Sequence, residues 1–294
     1  MIDLTEVPPE LEADHGAIAP NHPPYDRRKM SYASSFTNPI LAETIRAIEL
    51  FTGKFRLLRL IRGIERDGVR AGQAFWPHVL KHMDIRVETP MTEVLNIPRT
   101  GRVIIVSNHP HGLVDGMVFG YLIGQVRTDY KILTRSLLTE VEAIKPFMIP
   151  VPFPHQEGAT ERFLKMRADA MEHLEKDGLI ALFPSGTVAH SKTWFGPAEE
   201  AEWNPFTAKM ILKSGATVVP VRFQGANSRA YQIAANTSAV IRQGLLVHEM
   251  VNMMHKPMRP IVGKAIPPED LKQWAGKPRE FMTWLRNHTL SLKA

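Results

Sequence analysis

Apolar residues recur along this chain in two rhythms that change over near residue 100. Ahead of that point Ile40, Leu41, Ile45, Ile48, Phe51, Phe55, Leu58 and Leu60 or Ile61 return at three- and four-residue steps between Pro39 and Gly63. That is the period of a helix. Lys54, Arg56, Arg59 and Arg62 fill polar positions in its second half, and Gly53 is a candidate break between two helices. A further helix is expected over roughly Gln73–Met83, and a strand from Asp84 to Glu88. Residues 1–30 are proline-rich and acidic with no apolar period, and they predict an extended arm.

After Gly101 short apolar runs alternate with longer helical stretches. Val103-Ile104-Ile105-Val106 reads as a buried strand from its β-branched content and its length. Leu113–Val126 is expected to be a helix, Tyr130–Thr134 a strand, and Leu137–Lys145 a helix. Met148–Val151 should be a short strand stopped by Pro150 and Pro152, followed by a charged helix over Gly158–Lys176 and a strand over Leu179–Phe183. A helix over Phe206–Ser214, a strand over Thr217–Val221, a helical tail from about Ser228 to Met254 and a last strand near Pro260–Val262 complete the pattern. Strands separated by helices predict an α/β fold, a mainly parallel sheet flanked by helices, with an N-terminal helical segment attached. The expected organisation is an arm over 1–30, a helical segment over 31–90 as a candidate membrane attachment, and one α/β domain over 91–294.

Composition narrows the chemistry. The 294 residues contain no cysteine, which removes disulfides, thiol nucleophiles and thiolate metal sites and fits a reducing interior. The net charge of +6 is unevenly spread: residues 1–30 sum to −3, so the remainder carries +9. A basic body invites nucleic acid, anionic lipid or phosphorylated substrates. No zinc-finger spacing, no heptads behind a basic region and no aromatic RNA-binding strand is present, so nucleic acid is not an expected partner. No apolar run is long enough to predict a membrane-spanning helix. Met1–Pro24 has neither a basic start nor an apolar core, so no signal peptide is expected and the protein should stay where it is made.

The richest segment is Ser107-Asn108-His109-Pro110-His111-Gly112-Leu113-Val114-Asp115-Gly116. A buried strand ends in polar residues, proline and glycine break the chain, and a helix begins. Open α/β sheets place their sites just beyond such strand ends. His109 would stand on the loop, with Asp115 in the opening turns of the helix able to fold back to it. A carboxylate bonded to one imidazole nitrogen fixes the tautomer and leaves the other to take a proton from a substrate hydroxyl. A lone histidine in a polar turn is more often a helix cap; the buried strand and the acid favour a general base here. His109-Pro110-His111 followed by Asp115 also has a superficial likeness to a His-x-His-x-Asp-His metal turn. Its next ligands would fall on Leu113 and Val114, and His155, His190, His248 and His255 have no comparable spacing, so no metal is expected.

A second buried strand runs into Phe183-Pro184-Ser185-Gly186-Thr187-Val188-Ala189-His190-Ser191. A serine-hydrolase elbow would need glycine at 183, so Ser185 is a poor nucleophile. Backbone N–H groups around Gly186 suit a phosphate or an oxyanion.

Together the two segments resemble the glycerolipid acyltransferases of the phosphatidic-acid-synthase type, whose four sequence blocks recur in fixed order. Asn108-His109 with Asp115 is similar to block one, with five intervening residues instead of the usual four. That longer form resembles the bacterial hemolysin-like branch, which carries Asn-His-Pro-x-Gly-x-x-Asp-Gly. His111 adds a His-Pro-His-Gly string similar to diacylglycerol acyltransferases and is the second candidate base. Phe183-Pro184-Ser185-Gly186-Thr187 is similar to block three, with Ser185 in place of the family's common glutamate. Val219-Pro220-Val221 is similar to block four. Lys131, Arg135 and Ile149-Pro150-Val151-Pro152 lie where a degenerate block two would be. Gly225-Ala226-Asn227-Ser228-Arg229 and Ile261-Val262-Gly263-Lys264-Ala265-Ile266 resemble the branch's C-terminal pattern, so the likeness spans roughly 100–268.

The resemblance implies an acyltransferase domain over 91–294. A fatty acyl group would pass from acyl-ACP or acyl-CoA, as co-substrate and with no other cofactor, to the hydroxyl of a lysolipid. His109 would be the base, oriented by Asp115. Asn108, His111, Lys131, Arg135, Pro184, Ser185, Gly186, Thr187 and Pro220 are the implied substrate-binding residues. The acceptor would be lysophosphatidic acid or, given the altered blocks two and three, a lyso-aminolipid of the ornithine- or glutamine-lipid type. Such an enzyme must meet its substrate in a bilayer. Lys54, Arg56, Arg59 and Arg62 suit a helix lying in an anionic interface, which implies a peripheral protein on the cytoplasmic face of the inner membrane. The alternative is a helix packed on the domain with its cations in solvent. Trp194, Phe195, Trp203 and Phe206 are candidates for an acyl channel or for core packing. Two rival readings are a metal-dependent hydrolase built on the His-x-His turn and a non-catalytic protein that binds anionic lipid.

Overall fold

The structure is a computed structural model that describes residues 31–35, 38–135, 138, 141–152 and 158–293. The expected arm over 1–30 lies outside them. Helix α1 (Pro39–Glu49) starts on Asn38, whose side chain accepts the N–H groups of Ile40 and Leu41, with proline in the first turn. It continues through a π turn (Leu50–Lys54) into α2 (Phe55–Arg66). The apolar stripe read from the sequence packs only in part: Ile45 and Ile61 are buried, while Ile40, Phe51 and Phe55 are not. The buried side is formed by Ala42, Ile45, Glu49, Gly53, Leu57, Ile61 and Ile64. Ile40, Phe51 and Phe55 are 74%, 87% and 69% exposed. A π turn closes its hydrogen bonds one residue later than an α turn, so it slips the phase of the helix by one residue. Gly53 does not divide the helix; it allows close packing, since a Cβ there would stand 3.2 Å from the Cα of His248.

Helix α3 (Phe75–His82) packs across α5 (Leu113–Gly124) where that helix has only glycine surface. A Cβ on Gly120 would meet the Trp76 ring at 2.3 Å. The one-turn helix α4 (Met91–Val94) leads to the sheet. Its strands are β1 (Val103–Ser107), β2 (Tyr130–Thr134), β3 (Met148–Pro150), β4 (Leu179–Leu182), β7 (Thr217–Arg222) and β8 (Ile261–Val262), in the order β3-β2-β4-β1-β7-β8. Every pair is parallel except β7–β8. β5 (His190–Ser191) and β6 (Ala198–Glu199) form a separate hairpin.

Side chains alternate along each strand between two cores. Val103, Ile105, Ile132 and Ala181 face one core with α3, α5 and the N-terminal helices. Ile104, Val106, Leu133 and Leu182 face the other, with α6 (Ala159–Glu175), α7 (Pro205–Ser214) and α12 (Pro278–Ser291). Leu57, Ile61, Trp76 and Val79 share the first core with the sheet.

Several expectations are corrected. Asp84–Glu88 forms only a single bridge, Val87 to Met258, and no strand. The tail is three helices, α8 (Arg229–Thr237), α9 (Ala239–Gly244) and α10 (Leu246–Asn252); Ser228 and Ser238 cap the first two, and the third starts after Leu245 without a side-chain cap. Over Leu137–Lys145 the described part is a 3-10 helix, Glu142–Phe147. The short α11 (Pro268–Leu271) and the longer α12 close the fold. Among the described residues no helix is long and apolar enough to cross a membrane.

Candidate active site

The turn after β1 is fixed from three sides. Asn108 donates through Nδ2 to the carbonyl of Phe223 at 2.9 Å and accepts the N–H of Phe223 at 2.8 Å, which ties the turn to the end of β7. Gly112, at φ +70°, takes the chain into α5 in a conformation that a side chain would strain. Asp115, in the first turn of α5, is fully buried. Its Oδ2 accepts the N–H of His111 at 2.8 Å and of Gly112 at 3.1 Å. Those donors and the positive end of the helix offset the cost of burying a carboxylate.

The same oxygen lies 2.9 Å from Nδ1 of His109. A carboxylate so placed keeps the proton on Nδ1 and leaves Nε2 as the basic nitrogen. The imidazole stacks on Phe183, with 3.8 Å between centroids and 18° between planes, and Phe183 stacks in turn on Phe119. Nε2 has no partner among the described residues, and the ring lines a cavity of about 500 Å³.

That cavity crosses the carboxyl edge of the sheet. Leu133, Met166 and Leu182 line it from one core; Tyr32, Leu113 and Leu138 line it from the other. His109, Phe183 and Pro184 stand between. The first arm holds Arg135 and Arg167, the latter 4.3 Å above the ring of Phe206. Burial pushes the Arg135 guanidinium below its ordinary pKa. Gly186 sits at φ +64°, a conformation that favours glycine, and a Cβ there would be in ordinary contact with Nη2 of Arg135 at 3.5 Å.

A carboxylate that sequence reasoning missed organises this region. Glu200 is buried, and its Oε2 accepts the backbone N–H of His109 at 3.0 Å while Oε1 accepts the indole N–H of Trp203 at 3.0 Å. The Ser185 hydroxyl is a further hydrogen-bonding partner. Burial raises the Glu200 carboxyl above its ordinary range, and these donors pull it back in part. No local signal could have placed it, because the hairpin β5–β6 intervenes between Ser185 and Glu200.

Of the sequence-predicted residues, His109, Arg135, Pro184, Gly186 and Thr187 line the cavity, and Asp115 contacts His109. The others do different work. Asn108 binds backbone. His111 is buried beside Gly225, its Nε2 on the carbonyl of Gln224 at 2.8 Å, so its ring does not line the cavity. Ser185 faces Glu200 and the Thr187 carbonyl. Lys131 sits at the far end of β2 and donates to the carbonyl of Pro146. Pro220 is buried in β7, opposite Val106 and under Gly263. The N–H of Gly186 is taken by the carbonyl of Phe183 at 3.0 Å, which leaves it no oxyanion to hold.

Among the basic residues of the N-terminal helices, Lys54 turns inward, 3.8 Å from buried Glu49, while Arg56, Arg59 and Arg62 are exposed. Trp194 and Phe195 are 52% and 83% exposed on the hairpin and do not line this cavity; Trp203 binds Glu200; Phe206 alone of the four lines the cavity.

A sequence profile described as acyltransferase matches residues 69–294. Two proteins named lyso-glycine lipid O-acyltransferase align over 205 residues. The one from Phocaeicola vulgatus is 28% identical, with 67% of this chain and 70% of its own length covered. The one from Bacteroides thetaiotaomicron is 27% identical, with 67% and 72% covered. Among solved structures, the 1-acyl-sn-glycerophosphate acyltransferase PlsC from Thermotoga maritima aligns with a TM-score of 0.47 at 15% identity, covering 76% of this chain and 78% of that one.

Proposed function

The chain belongs to the acyltransferase family, and from that membership we propose that it transfers a fatty acyl group from an acyl thioester to the hydroxyl of a lysolipid. Membership removes the hydrolase and the non-catalytic readings. The observation that carries the proposal is one ring: His109, with Nδ1 on buried Asp115 and Nε2 open to a cavity walled by apolar side chains.

In the reaction Nε2 accepts the proton of the acceptor hydroxyl as its oxygen attacks the thioester carbonyl carbon. Asp115 stabilises the imidazolium that forms. The tetrahedral intermediate collapses with loss of the thiolate, which takes the proton back from Nε2. The enzyme needs no nucleophile of its own. Arg135 binds the acceptor's anionic headgroup. The names of the two relatives favour an amino-acid headgroup, as in lyso-glycine lipid, over a phosphate. The thioester is acyl-ACP or acyl-CoA.

The enzyme meets its lipid as a peripheral protein on the cytoplasmic face of the inner membrane. Ile40, Phe51 and Phe55 insert, and Arg56, Arg59 and Arg62 face anionic headgroups. Each cation near such a surface contributes about 1 kcal/mol. The triple change of these arginines to Gln should weaken sedimentation with anionic vesicles, and added salt should weaken the wild type more than the variant. Equal sedimentation at low salt would remove this surface from the membrane contact.

The reaction is tested with purified protein, lyso-glycine lipid or lysophosphatidic acid, and palmitoyl-ACP or palmitoyl-CoA, after exhaustive chelation. An O-acylated product is expected from wild type and none from His109→Ala. Absence of product in every combination overturns the proposal, and activity restored only by added metal overturns its metal-independent form.

A further inference from the structure

The second arm of the cavity carries a cation that the reaction above leaves unused. Arg242, on α9, lines the cavity and places its Nη1 3.3 Å from Nε2 of His190. The other nitrogen of His190, Nδ1, lies 3.0 Å from the carbonyl oxygen of Val188, which can only accept. Nδ1 therefore carries the proton, and Nε2 offers its lone pair to the guanidinium. A neutral ring thus holds the Arg242 fork in place without cancelling its charge. Among the described residues Arg242 makes no ion pair.

Tyr231 lines the same arm close enough to interact with Arg242, and burial pushes its phenol well above the ordinary range, so its hydroxyl stays a neutral donor. The location is adjacent to the chemistry in the chain fold. The N–H of Ala189 donates to the carbonyl of His109 at 2.8 Å, and His190 is the next residue.

A partly buried guanidinium fork, its remaining donors unneutralised beside a phenolic hydroxyl, is matched by an oxyanion, which can take two parallel N–H bonds. We infer that Arg242 and Tyr231 form a second oxyanion subsite in this cavity. It would take either the carboxylate of the lysolipid headgroup or the phosphate of the thioester's pantetheine arm. The inference rests on the acyl-transfer reading and deepens it: two anionic substrates meet at His109, and Arg242 supplies a cationic anchor besides Arg135.

The test is steady-state transfer by wild type, Arg242→Gln and Arg242→Lys, with lyso-glycine lipid and palmitoyl-CoA varied in turn. Arg242→Gln should raise KM for one substrate by about 10- to 100-fold, with kcat within about threefold, and Arg242→Lys should fall between. If the lysolipid KM moves, the carboxyl methyl ester of lyso-glycine lipid should erase the difference between wild type and variant. If the thioester KM moves, palmitoyl-N-acetylcysteamine, which lacks the phosphate of the pantetheine arm, should erase it. Either pattern supports the subsite and identifies its ligand. Unchanged KM for both substrates, or a loss confined to kcat, overturns it. Should wild type transfer no acyl group at all, the reaction reading fails separately. Calorimetric binding of palmitoyl-CoA and lyso-glycine lipid to wild type and Arg242→Gln then decides the subsite, which is overturned by equal affinities.

Discussion

The turns that follow β1 and β4 start alike and are assembled differently. Each is a fully buried strand running into proline and glycine. The first contains its own chemistry: ring and carboxylate are six residues apart and meet at 2.9 Å, and the backbone donors that hold the carboxylate lie between them. The second supplies walls. Phe183 backs the imidazole, and Glu200, whose carboxylate accepts the His109 N–H, arrives from beyond the hairpin β5–β6. The first turn's ring and carboxylate are brought together by local sequence, while its anchors at Phe223 and Glu200 and the walls of the second turn come by tertiary contact. Damage to the first should therefore fall on chemistry, and damage to the second on geometry and stability.

The largest expected effect is in the first turn. His109→Ala should lower kcat/KM by about 10²–10⁴ with the fold retained, and Asp115→Asn should come close, because an amide cannot stabilise the imidazolium as a carboxylate does. His111→Ala should keep most of the rate, since that ring is buried against the carbonyl of Gln224. If steady-state assays find His111→Ala dead and His109→Ala active, the division of labour between the two rings is reversed.

Next comes Glu200→Ala. It leaves the His109 N–H and the Trp203 indole without their acceptor, and unpaired buried donors cost about 1–3 kcal/mol each. Thermal unfolding should show that loss, and kcat/KM should fall less than in His109→Ala. A Glu200 variant as inactive as His109→Ala but as stable as wild type would move this carboxylate into the chemistry. Its pH signature has a defined sign. Burial holds the folded carboxyl above its ordinary 4.5, so the folded state binds that proton more tightly than the unfolded state. Stability therefore falls as pH rises from 4.5 through the folded value, and Glu200→Gln should lack that component. Parallel stability–pH curves for the two proteins would contradict it.

Arg135→Ala should raise the lysolipid KM at nearly constant kcat, as the loss of uniform binding does. Ser185→Ala should do least, with stability within about 1 kcal/mol and an unchanged KM, because its hydroxyl faces Glu200 and Thr187 and not the cavity. A lysolipid KM that rises in Ser185→Ala as far as in Arg135→Ala would return Ser185 to the binding surface.

The same contrast explains what the sequence made legible. The strands could be read because β-branched runs buried on both faces have few alternatives. His109 and Asp115 could be read because a strand–turn–helix junction brings residues six apart together. Glu200 could not, since its meaning depends on how a hairpin folds back. Asn108 and His111 were legible as residues of the turn, but not their partners: Phe223 and Gln224, just beyond another strand, claim their polar atoms. The outward placing of Phe51 and Phe55 was hidden by the π turn, a one-residue slip that periodicity cannot register. Helix α12 and the hairpin went unread, the hairpin because two-residue strands carry no period.

The cavity's position across the sheet edge has a thermodynamic consequence. Its lining includes residues of the hydrophobic cores on both faces of the sheet, which the sheet otherwise keeps apart. A molecule that fills it is a removable cross-link between two halves of the folding unit, present only in the native state. By mass action, ligand at 100 times its dissociation constant adds about 2.7 kcal/mol to unfolding. Substrate supply and resistance to unfolding are thereby linked: the enzyme is hardest to unfold where lipid is abundant and easiest where it has nothing to acylate.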